Sequence, residues 1–126
     1  MEVDWKDKII LIAEDEETNF LFIKAALRKT GAQLIWVQNG ALAVGECMAN
    51  PQIDLILMDM KMPIMNGFEA TKEIRMKVEN HIPIIAQTAF AMAGEKEKTF
   101  EAGCDGYLSK PIKPKELLEL ISQKMQ

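Results

Sequence analysis

The sequence predicts an α/β fold, a parallel β-sheet covered by helices on both faces. Three observations predict it. Short, continuous apolar runs of strand length recur along the chain, as in strands buried on both sides. Longer amphipathic stretches with helical spacing alternate with them, and Gly or Pro marks most of the breaks. The alternation repeats five times within 126 residues, which is room for five βα units and for one domain.

Lys8-Ile9-Ile10-Leu11-Ile12-Ala13 is the first apolar run, stopped by the acids from Glu14 onward. From Glu17 to Lys29 the period changes: Phe20, Ile23 and Leu27 share one helical face, and Gly31 follows as a stop. Gln33–Val37 reads as the second strand, and Asn39-Gly40 as the turn into a helix over Ala41–Ala49. Asn50-Pro51 breaks that helix, and Ile53–Met58 forms a third strand ending at Asp59. Pro63 and Asn66-Gly67 mark the loop before a helix running through Ile74 towards Val78. Pro83–Gln87 is the fourth strand, ending at Thr88, and a helix over about 91–102 precedes Gly103. In that helix Phe100 is the one large residue expected to face inward, beside the charged block Glu95–Lys98 and the weakening Gly94. Gly106–Ser109 is a short fifth strand. Pro114 suits the first turn of a last helix with Leu117, Leu120 and Ile121 turned inward.

Composition removes several classes of function. The residues are 48% hydrophobic and 27% charged, with a formal net charge of −4, which is neither a disordered composition nor an electrostatic footprint for nucleic acid. No apolar run is long enough to span a bilayer, and no signal-peptide pattern opens the chain, so a cytoplasmic location without membrane contact by this domain is expected, whether free or as the cytoplasmic part of a membrane-anchored sensor. Cys47 and Cys104 are too far apart for a CxxC motif and read as buried free thiols. The single histidine, His81, sits beside Pro83 in a loop; hydrolase chemistry built on a histidine base is not expected.

In parallel α/β sheets ligands bind at the carboxyl ends of the strands. Here those ends deliver Glu14-Asp15, Asp59, Thr88 and Lys110. Two carboxylates about 4 Å apart repel by roughly 4 kcal/mol at an effective dielectric of 20. Three acids converging on one site therefore call for a cation or raised pKa values, and an all-oxygen set with open positions suits Mg²⁺. On their own the acids read equally as solvated loop residues or as an acidic helix start. Lys110 reads as their counter-charge or as a clamp on a phosphoryl oxygen, Thr88 as a donor to the same oxygen, and Asp59 as a nucleophile forming an acyl phosphate. No GxxxxGK[ST] or GxGxxG loop is present, so the phosphoryl donor is expected to be a phosphorylated partner rather than a nucleotide.

The segments IILIAEDEETN, DLILMDMKMPIMNG, IIAQTA and AGCDGYLSKPI, in this order and spacing, resemble the receiver domain of two-component response regulators. The resemblance spans essentially the whole chain and implies one receiver domain over 1–126, with its core at about 7–124. The fold it implies is a flavodoxin-like (βα)₅ sandwich with strand order 2-1-3-4-5. It implies Asp59 as phosphoacceptor and Glu14 with Asp15 as the acidic pair for Mg²⁺ (or Mn²⁺). The backbone carbonyl of Lys61 would be a further ligand, Thr88 and Tyr107 the switch pair, Lys110 the phosphate-binding lysine, and Lys110-Pro111 a cis bond. In this switch Thr88 moves to the phosphoryl group and Tyr107 turns into the vacated space. The face of helix four, strand five and helix five then changes, a face that also suits a dimer.

Some positions depart from the common pattern. Glu14 stands where aspartate is frequent, and bulky Phe90 is expected to restrict attacking water. Methionines 58, 60, 62 and 65 cluster in sequence around Asp59 and read as adaptable packing. The implied partner is a histidine kinase or histidine phosphotransfer domain. The AEDEETN opening is similar to receivers of hybrid sensor histidine kinases, which favours an excised relay domain over a stand-alone regulator. On this reading the protein is a phosphoacceptor signalling domain rather than an enzyme, one that assists its own phosphorylation and dephosphorylation. A haloacid-dehalogenase-type phosphatase would want an acid where Lys61 stands. A non-phosphorylated pseudo-receiver would not need Asp59, Thr88 and Lys110 together.

Overall fold

Parallel pairing of β1 (Ile9–Ala13) with both β2 (Gln33–Val37) and β3 (Leu55–Asp59) sets the centre of the sheet. The structure, a computed structural model, describes residues 2–89 and 94–126. β4 (Ile84–Thr88) and β5 (Gly106–Ser109) complete a five-stranded sheet in the order β2-β1-β3-β4-β5. Five helices connect or follow the strands: α1 (Glu17–Leu27), α2 (Gly40–Ala49), α3 (Gly67–Lys77), α4 (Glu95–Ala102) and α5 (Pro114–Lys124). The strand order reverses between β1 and β3, so the crevice for a ligand opens above their carboxyl ends.

The apolar runs are continuous because both faces of the sheet are covered. Ile10, Ile12, Leu55, Leu57 and Ile85 point to one side and pack with Phe20, Ile23 and Leu27 of α1 and Leu117 and Ile121 of α5. Their alternate neighbours Leu11, Ala13, Ile56, Met58, Ile84 and Ala86 pack with Ala43, Val44 and Cys47 of α2 and Ala70 and Ile74 of α3. Each fully buried Leu or Ile side chain contributes roughly 1.5–3 kcal/mol. Leu117 and Ile121 are buried as expected, whereas Leu120 is only half-buried against the same core.

Side-chain caps start two of the five helices. Asn39 Oδ1 accepts from Leu42 N–H at 2.8 Å and caps α2. Asn66 and Glu69 form a reciprocal capping box at the start of α3. The first helix is shorter than its periodicity suggests. It ends at Leu27, and a 3₁₀ turn over Arg28–Thr30 leads to Gly31 at φ 80°. Thr30 Oγ1 donates to the Leu27 carbonyl at 2.6 Å and accepts from Ala32 N–H at 3.2 Å, bracing the turn into β2.

The inward placement of Phe100 is corrected. Its side chain is 42% exposed, while Thr99 and Ala102 are the buried residues of α4. Rotation decides this: Thr99 and Ala102 occupy the inward face of α4, and Thr99 Oγ1 satisfies itself there on the Lys96 carbonyl at 2.6 Å. Position 100 then falls about 100° from the inward face. Residues 91–93, where the sequence starts this helix, lie outside the described residues, as does Phe90. Cys47 and Cys104 are buried and unbridged, and burial pushes both thiols up to about 11, so they stay protonated at neutral pH. Among the described residues no helix is long and apolar enough to cross a membrane.

Candidate functional site

Neighbouring β1 and β3 bring their carboxyl ends together, and with them Glu14, Asp15 and Asp59. One carboxylate oxygen from each of these three residues lies within 4.8 Å of the other two. Glu14 and Asp59 are buried and Asp15 is exposed, so the cluster opens to solvent on one side. Lys110, carried past the end of β5, reaches across with its amine 3.1 Å from Asp59 Oδ2 and 3.2 Å from Glu14 Oε1. The Lys61 N–H donates to Asp59 Oδ1 at 3.1 Å. Both oxygens of Asp59 are thereby oriented. The Lys110-Pro111 peptide is cis, and Lys110 N–H donates to the Thr88 carbonyl at 2.8 Å, tying the β5 end to the β4 end. Asp15, Lys61 and Lys110, with the buried Asp59 and Thr88, line one cleft of about 690 Å³.

The loop after β3 approaches the site because α3 begins with glycine. A Cβ on Gly67 would collide with the Asp59 carbonyl and with Met60, and Gly67 N–H instead donates to the Met60 carbonyl at 3.1 Å. Ahead of it Ile64 holds φ 70°, with Met65 N–H bonded to the Pro63 carbonyl at 2.7 Å. A β-branched residue in that region costs about 1–3 kcal/mol. Met58, Met60 and Met62 are buried and Met65 packs beside them, the packing role expected of them.

Charge balance at the cluster is unfavourable. Burial, then the neighbouring Asp59 carboxylate, pushes the Glu14 carboxyl up to about 7, against the opposing pull of the Glu16 N–H and Lys110. For Lys110 burial works against the charged amine, but Asp59 and Glu14 outweigh it and its pKa is raised, so the lysine stays cationic. The Lys110 amine is shared between Asp59 and Glu14, two of the three acids. An all-oxygen donor set with excess negative charge and one open side fits a hard divalent cation that keeps its waters.

Tyr107 lies apart from the cleft, half-buried on β5 opposite Ala86. His81 is far from it too. On the loop before β4, its exposed imidazole places Nε2 2.7 Å from Oδ1 of Asp105, which precedes β5, at the amino ends of the strands. Two residues were not singled out by the sequence. Asn66 caps α3 and lines the cleft, and its box with Glu69 was legible as N-x-x-E. Trp36 donates its indole N–H to the Glu14 carbonyl at 2.7 Å; nothing in the strand pattern of β2 signals that contact.

The pattern of the response regulator receiver domain matches residues 10–122. The chain belongs to this family. It is therefore a receiver domain of two-component systems, a signalling domain with the five-stranded fold of its relatives. The receiver is 46% identical to part of hybrid signal transduction histidine kinase I of Dictyostelium discoideum, over 90% of this chain and 7% of that protein. It is 38% identical to the polar-differentiation response regulator DivK of Brucella anthropi, over 90% of this chain and 93% of that protein. The crystal structure of the receiver domain of sensor histidine kinase PA1611 from Pseudomonas aeruginosa superposes with a TM-score of 0.86 at 38% identity, covering 94% of this chain and 97% of that one. That structure has a magnesium ion coordinated in its active site cleft. The receiver domain of Ssk1 from Saccharomyces cerevisiae, crystallised with the histidine phosphotransfer protein Ypd1, gives a TM-score of 0.84 at 29% identity, covering 93% and 88%.

Proposed function

We propose that Asp59 is the phosphoacceptor of this receiver and takes its phosphoryl group from a phosphohistidine. The observation that carries the proposal is the setting of the Asp59 carboxylate. It is buried at the end of β3, held by Lys110 at 3.1 Å and the Lys61 N–H at 3.1 Å, and flanked by Glu14 and Asp15. A carboxylate oxygen of Asp59 attacks phosphorus, the P–N bond to the donor imidazole breaks, and an acyl phosphate forms. Lys110 places its positive charge where the phosphoryl oxygens arrive, and the Thr88 hydroxyl donates to one of them. Glu14, Asp15, Asp59 and the Lys61 carbonyl would hold Mg²⁺ or Mn²⁺, which supplies further positive charge to the transferred group. Hydrolysis of the acyl phosphate by water resets the domain, so it assists its own phosphorylation and dephosphorylation without turning over an external substrate.

The added charge draws Thr88 towards the phosphoryl group, Tyr107 turns, and the face of α4, β5 and α5 changes for a partner or a second copy. The similarity to hybrid kinases supports a relay role in a larger cytoplasmic signalling chain, with a histidine kinase or phosphotransfer domain as donor and no nucleic-acid contact. DivK, matched over nearly its whole length, supports a second reading in which 1–126 acts as a stand-alone single-domain regulator. The donor is tested with a radiolabelled phosphohistidine on a phosphotransfer domain. Label moves to the receiver with Mg²⁺ and fails to move to Asp59→Asn; transfer to that variant as fast as to the parent refutes the assignment.

A further inference from the structure

Every strand end except that of β2 contributes a charged or hydroxyl group to the cleft. β2 contributes support from behind. Its Val37 carbonyl accepts from Glu14 N–H at 3.0 Å, and its Trp36 indole Nε1–H donates to the Glu14 carbonyl at 2.7 Å. The Glu14 peptide groups are thus held on both sides by one strand. The indole is itself fixed, stacked on Phe20 of α1 with ring centroids 4.3 Å apart and planes within 1°. Phe20 is buried in the core, so the stack links the sheet, α1 and the loop between β1 and α1.

That loop needs holding. The Glu14 carbonyl belongs to the peptide that carries Asp15, and the exposed Asp15 carboxylate has no hydrogen-bond partner among the described residues. Its position is set by backbone alone. Trp36 is the one side chain, among the described residues, bonded to that peptide. We propose that Trp36 is a positioning residue for the acidic pair: its N–H fixes the Glu14-Asp15 peptide and so presets both carboxylates for a divalent cation. The inference rests on the metal role given to Glu14 and Asp15 above. Outer partners of metal ligands typically contribute 10–100-fold to metal affinity.

Trp36→Phe removes the donor and keeps an aromatic ring for Phe20. The account expects its Mg²⁺ affinity, measured by calorimetry, to fall about 10-fold or more. Phe20→Leu, which keeps the indole donor, should weaken binding less than Trp36→Phe does. A merely structural Trp36 would lower the melting temperature of Trp36→Phe and leave affinity within twofold of the parent, and that result overturns the proposal. An independent readout on the unaltered protein covers the case in which Trp36→Phe does not fold. The Trp36 indole ¹⁵N–¹H resonance should move during a Mg²⁺ titration while that of Trp5 stays in place, and an unmoved Trp36 resonance at saturating Mg²⁺ overturns it. If the parent binds no Mg²⁺ at all, the metal reading falls and this inference with it; binding by the parent with equal binding by Trp36→Phe sinks this inference alone.

Discussion

Glu14 stores a pH-dependent cost that Glu14→Gln should release. Its carboxyl is raised from 4.5 to about 7 in the folded chain, by burial first and by Asp59 second, with the pull of Lys110 already opposing. An acid whose pKa is higher when folded binds its proton more tightly in the native state. The contribution of Glu14 to stability is therefore most favourable below about pH 4.5 and is lost as pH rises through 7. The difference between those two values corresponds to about 3 kcal/mol on the alkaline side. Gln keeps the carbonyl oxygen that accepts the Glu16 N–H at 3.1 Å and carries no charge to bury. Urea unfolding in a chelator is the assay. The variant should exceed the parent by up to about 3 kcal/mol at pH 8, with the gain shrinking below about 1 kcal/mol at pH 5. A variant no more stable than the parent at pH 8, or a gain of equal size at both pH values, refutes the reasoning.

Three further substitutions probe the frame around the cleft. Gly67→Ala drives a methyl group into the Asp59 carbonyl and Met60; it should cost about 1–3 kcal/mol in urea and reduce phosphoryl uptake, because the displaced backbone carries Asp59. Gln87 lies buried in β4 with neither carboxamide atom bonded to a partner among the described residues, so Gln87→Leu should stabilise the fold by about 1 kcal/mol or more, and a loss would show that the amide is satisfied in solution. Arg75 donates to the Gly103 and Ile82 carbonyls and to Asp105, at 2.8–2.9 Å, at the sheet edge away from the site. Arg75→Met should cost about 2–3 kcal/mol while leaving phosphoryl uptake intact; a matching loss of uptake would mean that the two edges are coupled.

Strand composition made the fold legible. Runs such as Ile53–Met58 mark strands covered on both faces, and breaks such as Asn50-Pro51 and Asn66-Gly67 mark where each unit turns. The site was legible because four strand ends present reactive side chains and parallel topology collects strand ends along one edge. What the sequence hid depends on rotation and on contacts between elements. Phe100 faces outward because Thr99 and Ala102 take the inward face of α4, which an eight-residue helix with few apolar positions does not signal. The stack of Trp36 on Phe20, and the indole bond to Glu14, join residues brought together by the pairing of β1 with β2 and by the packing of α1. Along the chain, Trp36 is only one more residue of a strand.

The central claim is that Asp59 accepts a phosphoryl group in a reaction that needs a divalent cation. Intact-mass measurement after incubation with a small acyl phosphate tests it most directly, with Mg²⁺ in one arm and chelator in the other. The account predicts a gain of one phosphoryl group with Mg²⁺, none with chelator, and none in Asp59→Asn. A parent chain that gains no mass under either condition, or an Asp59→Asn chain that gains it normally, contradicts the claim.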